Sequence, residues 1–448
     1  MKINKISVKK LFGVFNHEIP INNSTGITIV IGENGLGKTV LLEMIEAFFK
    51  GSFLYFSKVT FDEMSIEFED NVVWNIEKDT SKGEIQNLKL TQIGETKKEF
   101  FNLVIYEEDH LEMLVRRIGR NTNYLRRVGS TFWEDRRTGR RLTNEQILYK
   151  YGAEYQLELD FDNTDKPSWF VEKYNKINVS LIETQRLISI QANDENSSEV
   201  KVEKYSNELS RTIKKLLTES TELSSRLDRT YPNRLIERLK KPSNITKSLL
   251  DDELTRLEKQ RATLNEVGLM EVDKDSNLLA IETPENVNVV LEVLKLYVED
   301  SFNKLKIFDD LSQKISILLD IINKRFKHKR LTIDKEEGFL FRSTIITLEN
   351  DKDDETETQF QKIPVTQLSS GEQNELVLFY LLLFKTDSNS LILIDEPEVS
   401  LHISWQNSFI KDLKEITKLN DLDIVIATHS PDIIADNWNL KVELKGLE

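Results

Sequence analysis

Polar and apolar residues alternate along Lys2-Ile3-Asn4-Lys5-Ile6-Ser7-Val8, the period-two pattern of a half-buried strand. A turn at Asn22-Asn23-Ser24-Thr25-Gly26 precedes the β-branched run Gly26-Ile27-Thr28-Ile29-Val30-Ile31, which suits a buried parallel strand. A glycine-rich loop follows. The pattern then becomes helical from Val40 to Phe49, with Gly51 as the expected stop. Short alternating strands are predicted from about 52 to 110, most clearly over Phe61–Phe68 and Val72–Ile76, and another core strand leads into a loop over 178–190.

Residues 195–330 change character. Val202, Tyr205, Leu209, Ile213, Leu216, Leu217, Leu223 and Leu227 recur at helical spacing, and Pro232-Asn233 and Pro242-Ser243-Asn244 are predicted to break the run. A second helix is predicted from Ile245 to about Val267. A third is predicted from Thr283-Pro284, a cap followed by a first-turn proline, to about Phe326. Helices of roughly 30 residues reach about 45 Å, so a short helical hairpin is expected rather than long coiled-coil arms. A β-hairpin is predicted over 331–348, turning near Lys335-Glu336-Glu337-Gly338. An acidic loop at 351–357 reads as solvated surface, and the last hundred residues return to an α/β pattern. Three segments result: an N-terminal lobe at 1–194, a helical insertion at 195–330 and a C-terminal lobe at 331–448.

Composition narrows the class. With 448 residues, 39% hydrophobic, the chain can bury a sizeable core. Its net charge of −15 argues against a globally basic nucleic-acid coat. Zero cysteines remove disulfides, thiolate nucleophiles and Cys-ligated metals, and fit a cytoplasmic protein. The N-terminus lacks the apolar run of a signal peptide. The longest apolar run, Leu376–Phe384, is nine residues where a membrane span needs about 20.

The chemistry starts at Gly32-Glu33-Asn34-Gly35-Leu36-Gly37-Lys38-Thr39, a G-x-x-x-x-G-K-[ST] phosphate loop between a strand and a helix. Asn34, Gly35 and Gly37 lie where backbone N–H groups can cradle phosphates. Lys38 can reach the β- and γ-phosphates of ATP, and the Thr39 hydroxyl can ligate Mg²⁺. Leu391-Ile392-Leu393-Ile394-Asp395-Glu396 is an apolar strand ending in two carboxylates, at the strand end where ligands sit in open α/β sheets. Asp395 is expected to hold Mg²⁺ and Glu396 to polarise the attacking water. Leu368-Ser369-Ser370-Gly371-Glu372-Gln373 ends 22 residues before Asp395. A Ser-Ser-Gly turn opening a helix offers N–H groups and hydroxyls to an anion. Thr428-His429-Ser430-Pro431 follows a second apolar strand, where His429 could contact the γ-phosphate. Gln185 occupies a similar strand end and could couple the metal or the water to the inserted region.

In this order the motifs resemble those of ABC-type ATPases of the SMC/RecF/OLD group. The resemblance covers roughly residues 1–50, 178–190 and 360–435. It implies an ABC-type P-loop NTPase fold of the α/β class, with an antiparallel β subdomain and an inserted helical (short coiled-coil) subdomain. It also implies ATP sandwiched head-to-tail between two copies. Ser369 and Gly371 of one copy would close over nucleotide held by Lys38 of the other, Leu401 and His402 would lie at the junction, and His429 would be the switch histidine. The signature reads LSSGE where transporters usually have LSGGQ.

Val179-Ser180-Leu181-Ile182-Glu183-Thr184-Gln185-Arg186-Leu187, Leu227-Asp228-Arg229-Thr230-Tyr231-Pro232 and the stretch Asp395–Gln406 are similar to single-chain ATPases of bacterial anti-phage systems, the AriA-type subunits of PARIS and the PtuA-type subunits of Septu. That likeness implies a slow ATPase that senses infection. It would form a ring-like homo-oligomer, for which a hexamer is one arrangement, and hold a separate nuclease-like toxic effector until a phage-encoded trigger protein releases it. Related OLD-type proteins carry a C-terminal Toprim nuclease. Only 19 residues follow His429, so the destructive activity is expected in a partner. The alternative implied by the group is a RecF/SMC-type repair or recombination ATPase acting directly on DNA.

Nine arginines fall between Arg116 and Arg141, opposed by Glu134 and Asp135, with Tyr124, Phe132 and Trp133 interleaved. The segment suits a solvated or internally paired surface, a protein-docking surface or a nucleic-acid contact. Spacing does not separate these three.

Overall fold

The computed structural model describes residues 2–22, 24–79, 87–94, 98–104, 108–122, 124–129, 132–136, 140–144, 146–147, 166–183, 201–241, 246–271, 287–347 and 360–446. The chain divides into two units: Met1–Ser198 with Lys385–Glu448, and Glu199–Phe384. The sequence boundary near 330 does not coincide with a boundary between these units.

The first unit carries two main sheets. One is antiparallel, in the order β2-β1-β4-β5-β6-β7. Its strands are β1 (Ile3–Leu11), β2 (Phe15–Pro20), β4 (Glu63–Phe68), β5 (Val73–Asp79), β6 (Asn87–Ile93) and β7 (Lys98–Val104). The other is parallel, in the order β11-β15-β16-β3-β17. It contains β3 (Ile27–Ile31), β11 (Val179–Glu183), β15 (Leu391–Asp395), β16 (Asp423–Ala427) and β17 (Lys441–Glu443). Helix α1 (Lys38–Lys50) buries Leu41, Leu42, Ile45 and Phe48 in a core shared with Ile6 and Val8 of the antiparallel sheet and Leu391, Leu393 and Val425 of the parallel one. Phe48 meets Trp74 and Tyr174 edge-on at centroid distances of 6.2 and 6.0 Å. A small subdomain packs α2 (Glu108–Asn121) on a sheet of β8 (Leu125–Val128), β9 (Phe132–Asp135) and β10 (Arg140–Thr143).

The second unit is built on α3 (Lys201–Lys240), α4 (Lys247–Glu266), α5 (Val287–Leu305) and α6 (Asp309–Arg325). It also contains the sheet β12 (Lys329–Asp334), β13 (Gly338–Thr347) and β14 (Phe360–Ile363), and helix α7 (Ser370–Tyr380). The second helix and the hairpin lie where the pattern predicts them. The expected break at Pro232 does not occur: α3 runs through it for 40 residues, about 60 Å. Proline removes a backbone donor from a helix interior, and side-chain bonds from Arg234 brace this turn. Its guanidinium donates to the Leu227 carbonyl at 2.9 Å and forks onto Asp300 of α5. Arg238, one turn on, bonds Glu292 and Glu299 of the same helix. These ion pairs hold the proline-bearing turn against α5. The third predicted helix is instead two, α5 and α6, joined by a 3₁₀ turn at Lys306–Phe308. Its expected cap at Thr283-Pro284 and the acidic loop at 351–357 lie outside the described residues.

At the hairpin turn, Ser206 of α3 accepts from Phe339 N–H and donates to the Glu337 carbonyl. Gly338 there has φ +77°, and a Cβ would lie 2.1 Å from the Ser206 carbonyl oxygen. Only glycine satisfies both the backbone and the approach. Arg325 and Glu375 form a buried ion pair, with the guanidinium 4.9 Å over the Phe379 ring.

Candidate ATP site

Register builds this site. In the parallel sheet Glu183, Asp395, Ala427 and Val30 lie side by side on successive strands. Whatever follows each strand therefore emerges along one edge, the carboxyl edge where α/β sheets bind ligands. The phosphate loop leaves β3, Glu396 leaves β15, and Thr428-His429 leaves β16.

Gly35 and Gly37 have φ of +89° and +83°, a region that side-chain-bearing residues rarely adopt. Gly37 is the N-cap of α1, which has no side-chain cap, so its first N–H groups remain for a ligand. Lys38 is buried to 6% exposure. Its ammonium donates to the carbonyls of Gly32 at 2.8 Å and Glu33 at 3.2 Å. Burial draws its pKa below the ordinary lysine value, while the carboxylates of Glu396, Asp395 and Glu398 pull the other way.

Lys38 Nζ also lies 3.4 Å from His429 Nδ1. An ammonium only donates, so a hydrogen bond here requires the tautomer with the imidazole proton on Nε2. That nitrogen faces Glu396 Oε1 at 3.7 Å. The Thr39 hydroxyl donates to Asp395 Oδ2 at 2.9 Å. The two side chains expected to share a metal thus converge from opposite ends of the chain, and a hydroxyl with a carboxylate is an oxygen donor set suited to Mg²⁺. Glu396 itself has φ +44° and ψ +58°, a left-handed backbone rarely held by a non-glycine residue.

Two groups at this edge escaped the sequence reading. Glu398 bridges two strand ends: Oε2 accepts from the Thr428 hydroxyl and Oε1 from the His429 N–H, both at 2.7 Å. His17 of β2, 2% exposed, bonds the Leu36 carbonyl of the phosphate loop through Nε2 at 2.8 Å. The nearest signal for Glu398 was a third carboxylate two positions after Glu396. For His17 there was none, because a lone histidine in a strand carries no spacing.

The remaining candidates fall elsewhere. Ser369, Ser370, Gly371 and Glu372 belong to the second unit. Ser369 caps α7 in a capping box: its hydroxyl accepts from Glu372 N–H, and Glu372 Oε2 accepts from Ser369 N–H at 2.8 Å and its hydroxyl at 2.9 Å. Burial raises the Glu372 pKa. Lys329, donating at 2.7 Å, and the bonds from Ser369 outweigh this and leave it below the ordinary carboxylate value. Ser369 and Ser370 are exposed, and a Cβ on Gly371 would meet nothing within 4 Å. His402 caps the helix that follows it, α8 (Ile403–Asn420), and bonds Ser404 through Nδ1. Gln185 lies outside the described residues.

The arginines are divided. Glu112 of α2 holds both Arg116 and Arg127. Trp133 on the inner face of the small sheet lies against Gly119 of α2, and Arg126 and Glu134 occupy the outer face. Among the exposed arginines, Arg116, Arg117 and Arg120 lie on α2 and Arg126 on the outer face of the small sheet. Arg137 and the side chain of Arg140 are outside the described residues.

The sequence profile of the AAA ATPase domain family matches residues 1–434. The chain belongs to the AAA ATPase domain family. It carries an ATPase domain, and its fold is the α/β arrangement expected from the motifs, with the phosphate loop leaving a parallel sheet. The ATPase is 28% identical over 180 residues to the Retron Ec83 probable ATPase of Escherichia coli, covering 38% of this chain. It spans about a third, 31%, of the length of that relative. Similar solved structures include the SMC head domain from Thermotoga maritima, at 10% identity and TM-score 0.32 over 97% of this chain and 93% of that one. The Smc head of Pyrococcus furiosus bound to the C-terminal domain of ScpA matches at 13% identity and TM-score 0.32, over 97% and 91%. Among the described residues no helix is long and apolar enough to cross a membrane.

Proposed function

We propose that the ATPase binds ATP with Mg²⁺ along the carboxyl edge of the parallel sheet, and that binding and slow hydrolysis control its assembly. The observation that carries this reading is the 2.9 Å bond between Thr39 and Asp395 beside the buried Lys38. Asn34, Gly35 and Gly37 turn backbone N–H groups towards the phosphates. Lys38 transfers its ammonium from the Gly32 and Glu33 carbonyls to phosphate oxygens. Thr39 and Asp395 hold the metal, with Gln185 as a further ligand. When bound, Mg²⁺ would offset negative charge developing on the phosphates. Glu396 accepts a hydrogen bond from the attacking water and takes its proton, and His429 donates from Nε2 to a γ-phosphate oxygen. Ser369, Ser370, Gly371 and Glu372 of a second copy close over the nucleotide. The exposure of Ser369 and Ser370, and the open space around Gly371, support this arrangement.

The wider role we propose is a cytoplasmic sensor and scaffold in bacterial anti-phage defence. It forms a homo-oligomer, up to a hexamer, that stores a nuclease-like effector and releases it when a phage protein is sensed. The motif likeness to AriA-type and PtuA-type subunits and the partial likeness to a retron's probable ATPase support it. The test is affinity purification of the Glu396→Gln chain from its native host before and during infection. The expected result is a stoichiometric effector that leaves on infection. Co-purification of DNA and repair proteins, unchanged by infection, overturns it. That outcome would support the RecF/SMC-type reading, in which the Arg116–Arg141 segment contacts DNA directly and binding falls steeply with salt.

A further inference from the structure

The Glu398 carboxylate lies between two loops that the ATP reaction uses, and nothing in the proposed chemistry requires it to touch ATP. Each oxygen accepts one short bond from the other loop, Oε2 from the Thr428 hydroxyl and Oε1 from the His429 backbone N–H, both at 2.7 Å. Thr428 is fully buried, and its hydroxyl oxygen in turn accepts from Ser430 N–H at 3.0 Å. A second link runs parallel. Gln406 on α8 donates to the Glu398 and Leu401 carbonyls and accepts from the Ser430 hydroxyl at 2.7 Å. The turn after β15 and the turn after β16 are therefore laced together at three successive residues, 428, 429 and 430.

The His429 side chain is about 32% exposed, and the ring faces Lys38 and Glu396. Its position follows from its backbone, and its backbone is held by Glu398. The ring is thereby placed with Nδ1 at 3.4 Å from Lys38 and Nε2 at 3.7 Å from Glu396. A shift of the order of 1 Å in such a group can cost up to ~10²-fold in rate.

We infer that Glu398 is a positioning residue of the ATPase reaction. By accepting from Thr428 and from the His429 N–H it sets the imidazole against Lys38 and Glu396, and so ties the strand end bearing Asp395-Glu396 to the strand end bearing His429. The inference rests on the proposed role of His429, and the test separates the two.

ATP hydrolysis would be measured for Glu398→Ala, Glu398→Gln, Thr428→Val, His429→Ala and the double variant Glu398→Ala/His429→Ala, with melting temperatures alongside. Glu398→Ala is expected to lower kcat about tenfold or more with KM for ATP within about twofold, because phosphate binding by Lys38 is untouched. Glu398→Gln keeps an oxygen for the His429 N–H and should recover most of that loss. Thr428→Val removes only one arm and should cost less than Glu398→Ala. In the His429→Ala background the Glu398→Ala change should add less than about twofold, since the group it positions is gone. Hydrolysis by Glu398→Ala within twofold of the parent overturns the inference. So does an undiminished loss in the double variant, which would make Glu398 act through something other than His429. If Glu398→Ala does not fold, the Glu398→Gln and Thr428→Val pair carries the same test, and normal kcat in Thr428→Val with a large loss in Glu398→Gln overturns it. His429→Ala alone tests the role of the histidine: parental activity in that variant defeats the reading of His429, whatever Glu398 does.

Discussion

The Thr39 hydroxyl donates a 2.9 Å hydrogen bond to Asp395 across 356 residues of sequence. The bond holds together the two oxygens that a magnesium–ATP complex would separate and bind. Thr39→Ala and Asp395→Asn should each lower Mg²⁺-dependent hydrolysis by more than tenfold and raise the Mg²⁺ concentration needed for half-maximal rate. A magnesium titration of the ATPase rate checks this. Unchanged half-saturation in both variants would remove these residues from the metal.

Lys38 and Glu396 separate binding from turnover. Lys38→Ala should abolish measurable ATP affinity in equilibrium titration. Glu396→Gln should bind ATP as tightly as the parent while hydrolysis falls by ~10²-fold or more, the usual contribution of a general base. A Glu396→Gln chain that turns over normally would exclude Glu396 as the base.

His17 ties stability to pH. Burial lowers its folded-state pKa below the ordinary value of 6.5, and the bond to Leu36 only partly opposes this. The unfolded chain therefore takes up the proton first as pH falls. The stabilisation is whole above about pH 6.5 and is lost progressively below it. Chemical unfolding from pH 8 to pH 5 should show this decline in the parent, and His17→Gln should flatten it.

The buried pair Arg325–Glu375 is a lever on the second unit. Removing one partner, as in Glu375→Ala, should cost about 3–5 kcal/mol of stability, because a charge is left in an apolar setting. Replacing both with Met and Leu should restore much of it. Urea denaturation measures both. A loss below ~1 kcal/mol for Glu375→Ala would mean that water reaches the site.

Local signals made much of this protein legible. The phosphate loop and the apolar strand ending in Asp395-Glu396 each write their chemistry in adjacent residues, so both could be placed before any fold was known. The hairpin at 329–347 and the helix at 247–266 follow periodicity alone. Glu398 and His17 were hidden because their partners are set by strand register and by the docking of β2 on the loop, neither of which has a sequence period. Pro232 misled because proline normally ends a helix. The ion pairs of Arg234 and Arg238 to α5, formed across more than 50 residues, hold that turn in place.

Glu396 occupies a left-handed backbone position that costs a non-glycine residue about 1–3 kcal/mol. Glycine would relax it, so Glu396→Gly should raise the melting temperature while removing the carboxylate. Selection for stability and selection for hydrolysis therefore pull in opposite directions at this position. Sequence variants screened only for folding should drift away from glutamate there. Persistence of the glutamate in a lineage would then record that ATP turnover, and not merely ATP binding, is being maintained.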